Sequence, residues 1–243
     1  MKKIRVSGFA VFLFFFLAAC GEGESIRETE NFIFHFEAQD AGAIDDLADA
    51  LEGNFERITS ILGIRPDSRT DVFVYPSLEV FHQAVGQLFA PEWYAGTAIN
   101  GIIHMVSPIY PNLIHDYDVM IKIVVYELVH VVAEQLTYVH RPFLSEGLAL
   151  YLSGQNDSVE SAIAYGLETS SIPMSERMFS RIWDERVYQV GYALIEFIAA
   201  EFGYNELAHM YIDPHAHLDY LGISHAEFDE RWIDFLIYTY GSQ

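Results

Sequence analysis

The chain has 243 residues, and its 13 lysine and arginine side chains against 35 aspartates and glutamates give a formal net charge of −22. This balance argues against nucleic acid as a partner, because proteins bind phosphate backbones through clustered basic side chains. Hydrophobic residues make up 51% of the chain and aromatic residues 15%. That composition excludes intrinsic disorder for most of the chain and suits one large domain or two small lobes.

The N-terminus has the features of an export signal. Three basic residues precede an apolar run at positions 9–17, and a Leu-Ala-Ala-Cys segment ends at Cys20. This order resembles a bacterial lipoprotein signal, in which residues 1–19 are removed and Cys20 is acylated. An uncleaved spanning helix is the alternative, but the run is shorter than the roughly 20 residues that such a helix needs. The signal therefore predicts a lipid membrane anchor at Cys20, on the extracytoplasmic face of the cell membrane.

The rest of the chain divides by its hydrophobic pattern. Residues 20–30 are polar and without periodicity, which predicts a tether, so the folded domain is expected over 31–243. Strand and helix patterns mix over 31–136, whereas 137–243 is almost entirely helical in pattern. The predicted class is α+β, with the two halves joined through a long helix.

One turn in the first half has a specific signature. The Asn100-Gly101 dipeptide is typical of a type I′ hairpin turn, so the strand at 102–106 is expected to pair with the residues before the turn. The other predicted elements, in chain order, are a strand at 32–36, a helix over 44–62, a strand at 71–75, a helix over 76–88, a helix over 117–136, helices beyond 142 and a last helix with Ser224 and Glu227 as its capping box.

Two segments carry the candidate chemistry. The first, 126–130, reads Tyr-Glu-Leu-Val-His within the long predicted helix, and the second, 143–151, reads Phe-Leu-Ser-Glu-Gly-Leu-Ala-Leu-Tyr. In H-E-x-x-H zinc peptidases, two imidazoles four residues apart bind the metal from one helical face, and the adjacent glutamate is the general base. The spacing is present here, but Tyr126 stands at the first imidazole position.

Together the segments resemble the peptidase MA-like families of the gluzincin clan, whose zinc helix is followed by a helix of W/F-L-x-E-G-L-A-E-Y type. The resemblance covers about residues 31–240. It implies a small mixed sheet with an antiparallel edge strand beside the cleft, and a mainly helical C-terminal half. It also implies that His130 and Glu146 bind zinc and that Glu127 deprotonates a metal-bound water, with Tyr126 at the remaining ligand position.

The chain departs from the family pattern at two positions. A neutral phenol with its ordinary pKa of about 10 is a poor metal ligand, so Tyr126 weakens the site. In gluzincins a carboxylate four residues after the glutamate ligand orients the first histidine, and here that position is Leu150. The imidazole and its orienting carboxylate are thus missing together. Two interpretations stay open, a weakened zinc site and a metal-free polar cluster.

Other residues are weaker candidates for the cleft. Glu134 lies one helical turn after His130 and offers an alternative ligand, but it would move a metal roughly 5.4 Å away from Glu127. Tyr188 and Tyr192 are candidates for a phenol that stabilises an oxyanion, although aromatic packing is the commoner role. Five histidines are more simply explained as partly exposed or loop residues than as ligands: His104, His115, His140, His215 and His217.

The sequence therefore supports two functions. One is a membrane-anchored protein whose peptidase-like domain has a degenerate metal site and serves in binding or regulation. The other is an active zinc metalloendopeptidase with a Tyr/His/Glu site. In both, the expected partner is an extracytoplasmic protein or peptide.

Overall fold

The computed structural model describes residues 24–111, 113–137, 139–155, 173–181 and 187–240; Cys20 and the predicted export signal lie outside these residues. The described part combines a five-stranded mixed sheet with α-helices, which confirms the predicted α+β class. The strands are β1 (Glu24–Glu28), β2 (Phe32–Glu37), β3 (Thr70–Tyr75), β4 (Gly96–Ile99) and β5 (Ile102–Val106). The helices are α1 (Ala41–Leu62), α2 (Leu78–Ala84), α3 (Tyr117–Ala133), α4 (Pro142–Ser153), α5 (Met174–Phe179), α6 (Val187–Phe202), α7 (Tyr204–Ile212), α8 (Pro214–Leu221) and α9 (His225–Tyr240).

The sheet has the strand order β1-β2-β3-β5-β4. Its three central strands are parallel, and the outer strands β1 and β4 pair antiparallel with β2 and β5. Asn100 and Gly101 join β4 to β5 with φ angles of 54° and 77°, as a type I′ turn requires. The predicted hairpin and the antiparallel edge strand are thus confirmed.

The core lies between one face of the sheet and the helices α1 and α3. Alternate residues of the three central strands point into it, so Phe34, Val72 and Ile103 are fully buried. Helix α1 buries a stripe at helical spacing against the same layer. It ends at Gly63, whose φ of 66° is the left-handed conformation of a helix C-terminus. Each large apolar side chain buried here contributes about 1.5–3 kcal/mol.

The tether predicted over 20–30 is wrong for its second half. Residues 24–28 form β1, an edge strand whose side chains alternate between exposed and half-buried. Its Arg27 pairs with Asp45, and Glu28 lies 2.6 Å from Arg69. An edge strand held by backbone pairing and charges lacks the apolar signal on which strand prediction rests.

Several helix boundaries also differ from the sequence expectation. Helix α2 ends at Ala84 rather than near Leu88, because the chain turns at Gly86, where φ is 73°. Helix α3 ends at Ala133, three residues early. Ser224 caps α9 as predicted, since its hydroxyl accepts a hydrogen bond from the Glu227 amide, but the Glu227 carboxylate binds Arg231 instead of completing the capping box. None of the helices in the described ranges is long and apolar enough to span a bilayer.

Glu52 on α1 ties the helix to the start of β2, and we expect this contact to make stability pH-dependent. Its carboxylate accepts hydrogen bonds from the Asn31 amide at 2.8 Å and the Asn31 side chain at 2.6 Å. Burial raises the pKa of Glu52, but hydrogen bonds from Thr29 and Asn31 outweigh it, so the pKa is lowered. A lowered carboxyl pKa stabilises the fold at neutral pH, and that stabilisation is lost as pH falls through the folded-state pKa.

The Glu52→Gln variant should therefore lose less stability than wild type between about pH 6 and about pH 3. Urea unfolding of the full-length chain at both pH values measures this. Asp49→Asn, at an exposed position of the same helix, is the control and should leave the pH dependence unchanged. An equal acid loss in Glu52→Gln and wild type would contradict the assignment.

Candidate functional site

Helix α3 brings the first candidate segment to the edge of the sheet. Tyr126 and His130 are one helical turn apart and their rings are in edge-to-face contact, with centroids 4.8 Å apart. Glu127 points instead towards β4. A Cβ atom on Gly96 would lie 2.7 Å from Ile123 and 3.3 Å from the Glu127 carboxylate, so β4 needs glycine to approach α3 this closely.

A close helix contact places the second segment beside α3. Gly147 of α4 packs directly on Gly191 of α6, and a Cβ on Gly147 would lie 2.4 Å from the Gly191 carbonyl oxygen. Such backbone-to-backbone packing is possible only for glycine. It fixes α4 so that Glu146, the residue before Gly147, faces His130.

The predicted site residues meet in a buried polar cluster. The Tyr126 hydroxyl donates a hydrogen bond to Oε2 of Glu146. The same oxygen lies 3.6 Å from His130 Nε2, and His140 Nε2 lies 3.7 Å from the other carboxylate oxygen. Ser145 Oγ lies 3.4 Å from His130 Nδ1. Glu146 is therefore surrounded by three partners, Tyr126, His130 and His140.

The charges of this cluster are set by burial and by pairing. Burial, reinforced by the negative charges of Glu146 and Glu127, raises the pKa of Tyr126 well above its usual range, so the phenol is neutral. Burial lowers the pKa of His130, but its interaction with Glu146 outweighs burial and raises that pKa to about 9. The same partners, His130 and Tyr126, lower the pKa of Glu146 against the effect of its burial. At neutral pH the cluster is a carboxylate paired with an imidazolium and a phenol.

Glu127 is chemically distinct from the cluster. Its side chain is buried, and burial raises its pKa to about 7, against the opposing effects of the His130 charge and a backbone hydrogen bond from Ala98. A carboxyl group with a pKa near neutrality suits a general base. Glu127 thus has the property expected for that role, independently of a metal.

A cavity of about 520 Å³ opens over these residues. Its walls come from the segment before and within β4, from α3 and α4, and from the start of α6. Lining residues include Trp93, Tyr94, Gly96, Thr97, Ala98, His115, Ile123, Tyr126, Glu127, His130, Glu134, His140, Glu146, Leu150, Gln155 and Tyr188. The volume lies within the range of roughly 300–1,000 Å³ that is usual for ligand-binding pockets.

The two candidate phenols separate in the structure. Tyr188 lines the cavity, and burial and the charges of Glu146 and Glu127 raise its pKa, so it is a neutral hydroxyl facing the cluster. Tyr192, one turn further along α6, packs against Tyr151 with ring centroids 5.2 Å apart, outside the cavity. Tyr192 is therefore not placed at the site, because one further turn of the helix carries it beyond the cavity to a second pocket lined with Tyr151 and Tyr204.

The histidines divide in the same way. His115 and His140 reach the cavity, whereas His104 stacks between Phe73 and Tyr75 on the outer face of the sheet. His215 and His217 lie in helix α8 rather than in a loop, and His217 contacts Glu206 instead of the cleft.

The cleft residues do not fit a zinc ion. One ligand position holds a neutral phenol whose hydrogen points at the carboxylate ligand, and a phenol in this form is a poor metal donor. Glu134 lines the cavity but does not complete a ligand set. In the described part of the chain, three carboxylate or imidazole ligand atoms come within 4.8 Å of one another only at Glu206, His209 and His217, outside the cleft. The structure therefore favours the metal-free polar cluster over the weakened zinc site.

Some cavity residues escaped the sequence analysis. Trp93, Tyr94 and Gln155 line the cavity, and Ser145 contacts His130. Trp93 and Tyr94 precede a strand without any motif, so only the placement of β4 reveals them. Ser145 adjoins the Glu146 position, and that adjacency was the one available signal.

The comparisons with known proteins found no match. No protein-family model matches the chain, and no curated protein matches it. The gluzincin relationship therefore rests on the motif positions and stays a proposal.

Proposed function

We propose that this protein is a lipid-anchored extracytoplasmic protein whose gluzincin-like domain binds a polypeptide in its cleft without hydrolysing it. The observation that carries the proposal is the hydrogen bond from Tyr126 to Glu146. Buried polar groups are costly unless paired, and this bond pairs the carboxylate within the protein itself. The cluster is thus satisfied without an ion, and the cleft keeps its shape.

The sheet edge beside the cleft suits an extended peptide. Strand β4 pairs with β5 on one side, and among the described strands none pairs with its other side. Residues 96–98 of β4 line the cavity. The Ala98 amide of β4 already donates to Glu127, and the other amides and carbonyls of such an edge strand can accept a further strand, which gives affinity through the backbone.

The side chains around the cavity indicate the kind of peptide. Trp93 is half exposed at the rim, and Ile123 and Leu150 add apolar surface. Glu127 and Glu134 also line the cavity, and within the described ranges neither forms an ion pair with a histidine as Glu146 does. An occupant with apolar and basic side chains would complement both the cavity and the acidic chain around it.

The alternative is an active metalloendopeptidase that hydrolyses extracytoplasmic proteins. The observation in its favour is Glu127, because a carboxyl group with a pKa of about 7 is suited to general-base catalysis. This function needs a bound metal ion. The cleft residues Tyr126, His130 and Glu146 are a poor set of metal ligands, because the phenol is neutral.

Fluorescence anisotropy tests the proposal. A labelled protein, reduced and unfolded, serves as the ligand, and the full-length chain in detergent micelles is added to it in the presence of zinc. We expect saturable binding and intact substrate on a gel. Trp93→Ala should weaken binding roughly tenfold or more, because exposed tryptophans at clefts carry much of the affinity. Tyr238→Ala, at an exposed position of α9, should leave binding unchanged.

Two results would overturn the proposal. Zinc-dependent cleavage that Glu127→Gln abolishes would establish the peptidase instead. Binding that is absent, or equally strong in Trp93→Ala, would show that the cleft does not hold the polypeptide.

A further inference from the structure

A second cluster of metal-binding side chains lies in the helical half, on α7 and α8. Glu206 and His209 are three residues apart on α7 and so share one face of that helix. His217 approaches from α8, with its Nε2 atom 2.7 Å from Glu206 Oε2. His209 Nδ1 lies 3.4 Å from the same oxygen, and the three ligand atoms all lie within 4.8 Å of one another.

His217 is the residue that points to a ligand. Its side chain is only 8% exposed. Nε2 is buried, and despite the short distance to Glu206 it forms no hydrogen bond there. A buried imidazole nitrogen without a hydrogen bond is costly. A cation that binds both His217 Nε2 and Glu206 Oε2 would give that nitrogen a partner, once the two atoms move apart to the roughly 3.3 Å that two ligands of one zinc ion require.

The surroundings separate this cluster from a chance grouping of histidines. The rings of His209 and His217 stack with centroids 5.2 Å apart. The His217 ring also stacks with Tyr220, with centroids 5.8 Å apart. His215, two residues before His217, faces elsewhere and stacks on Phe179. The His-x-His pair in the sequence is therefore not the chelating pair, because its members lie on different faces of α8.

We propose that Glu206, His209 and His217 bind a divalent transition-metal ion, zinc being the expected one. Two imidazoles and one carboxylate form a donor set that zinc prefers, whereas calcium and magnesium prefer oxygen donors alone. Glu206 and His209 are partly exposed, so water can take the remaining coordination position. The net charge of −22 attracts cations to the surface. The ion would link α7 to α8 across the turn at Asp213.

Titration calorimetry with zinc chloride on the full-length chain in detergent micelles tests this site. We expect one zinc ion per chain, bound with a dissociation constant of about 1 μM or tighter, and no binding of calcium. Zinc should also raise the unfolding temperature, because it binds the folded state. His209→Ala should weaken zinc binding roughly 100-fold and remove the temperature rise. Since His209 is 62% exposed, this variant should fold normally.

Matched variants locate the ion. His225→Ala replaces another exposed histidine of the same half and should leave zinc binding unchanged. Glu206→Gln, which keeps the side-chain shape, should weaken binding as His209→Ala does. Unchanged zinc binding in His209→Ala and Glu206→Gln would overturn the proposal. Loss of zinc binding in a His130→Ala/Glu146→Gln variant would place the ion in the cleft, and that result would overturn both this site and the metal-free cleft. Zinc binding retained in this variant would show that the ion does not depend on the cleft residues.

Discussion

The Tyr126→His/Leu150→Glu double variant should bind zinc in the cleft and hydrolyse an unfolded protein. Position 126 lies one helical turn before His130, and position 150 lies one turn after Glu146, with both side chains lining the same cavity. The double change would restore a second imidazole ligand and the carboxylate that orients it. Glu127, already with a pKa of about 7, would then have a metal-activated water to deprotonate.

Zinc calorimetry and a gel-based cleavage assay measure the outcome in a His209→Ala background, so that the site on α7 and α8 does not contribute. The single Tyr126→His variant should bind zinc roughly 10–100-fold more weakly than the double variant, since it lacks the orienting carboxylate. Adding Glu127→Gln should abolish cleavage while zinc binding persists. A folded double variant that binds no zinc would show that α3 and α4 are not arranged as in a gluzincin.

The Gly147→Ala variant should be the most damaging single methyl addition in the described fold. The new Cβ atom would lie 2.4 Å from the Gly191 carbonyl oxygen and 2.7 Å from the carbonyl carbon. Both are backbone atoms, so no change of side-chain rotamer can relieve the clash. Helices α4 and α6 would have to separate. We expect a loss of about 3 kcal/mol in the free energy of unfolding, which corresponds to a fall of roughly 6–12 °C in unfolding temperature.

Gly53→Ala is the matched control. Gly53 lies in the middle of α1, and an added Cβ there would meet no atom within 4 Å. Alanine is the better helix former, so this variant should gain up to about 1 kcal/mol. Thermal unfolding of both variants followed by circular dichroism compares them directly. Equal stability of Gly147→Ala and wild type would mean that the helices are not held in contact by their glycines.

The sequence predicted the parts of the fold that local patterns encode. The Asn100-Gly101 turn needs two positive φ angles and is readable from the dipeptide alone, and the apolar stripe of α1 follows a helical period. The strand β1 was missed because backbone pairing with β2 holds it rather than apolar burial. Helix α2 ended earlier than predicted because the apolar pattern continues past Gly86, where the backbone turns out of the helix.

The candidate sites show the same limit. Motif spacing predicted that Tyr126, His130 and Glu146 meet, and they do. It did not predict that Tyr192 lies beyond the cavity, because where the cavity ends along α6 depends on the contact of that helix with α4 through Gly191. The grouping of Glu206 with His217 was equally hidden, since it depends on how α7 packs against α8.

The position of β1 has a consequence for how the molecule stands on a membrane. If Cys20 carries the proposed acyl anchor, only four residue steps separate it from the start of β1, a reach of roughly 14 Å at most. The sheet edge formed by β1 would then lie close to the headgroups, while β4, at the opposite edge, would be held farther out. With so short an attachment, the cavity beside β4 would lie at the sheet edge farther from the anchor, where a polypeptide in the surrounding space could reach it.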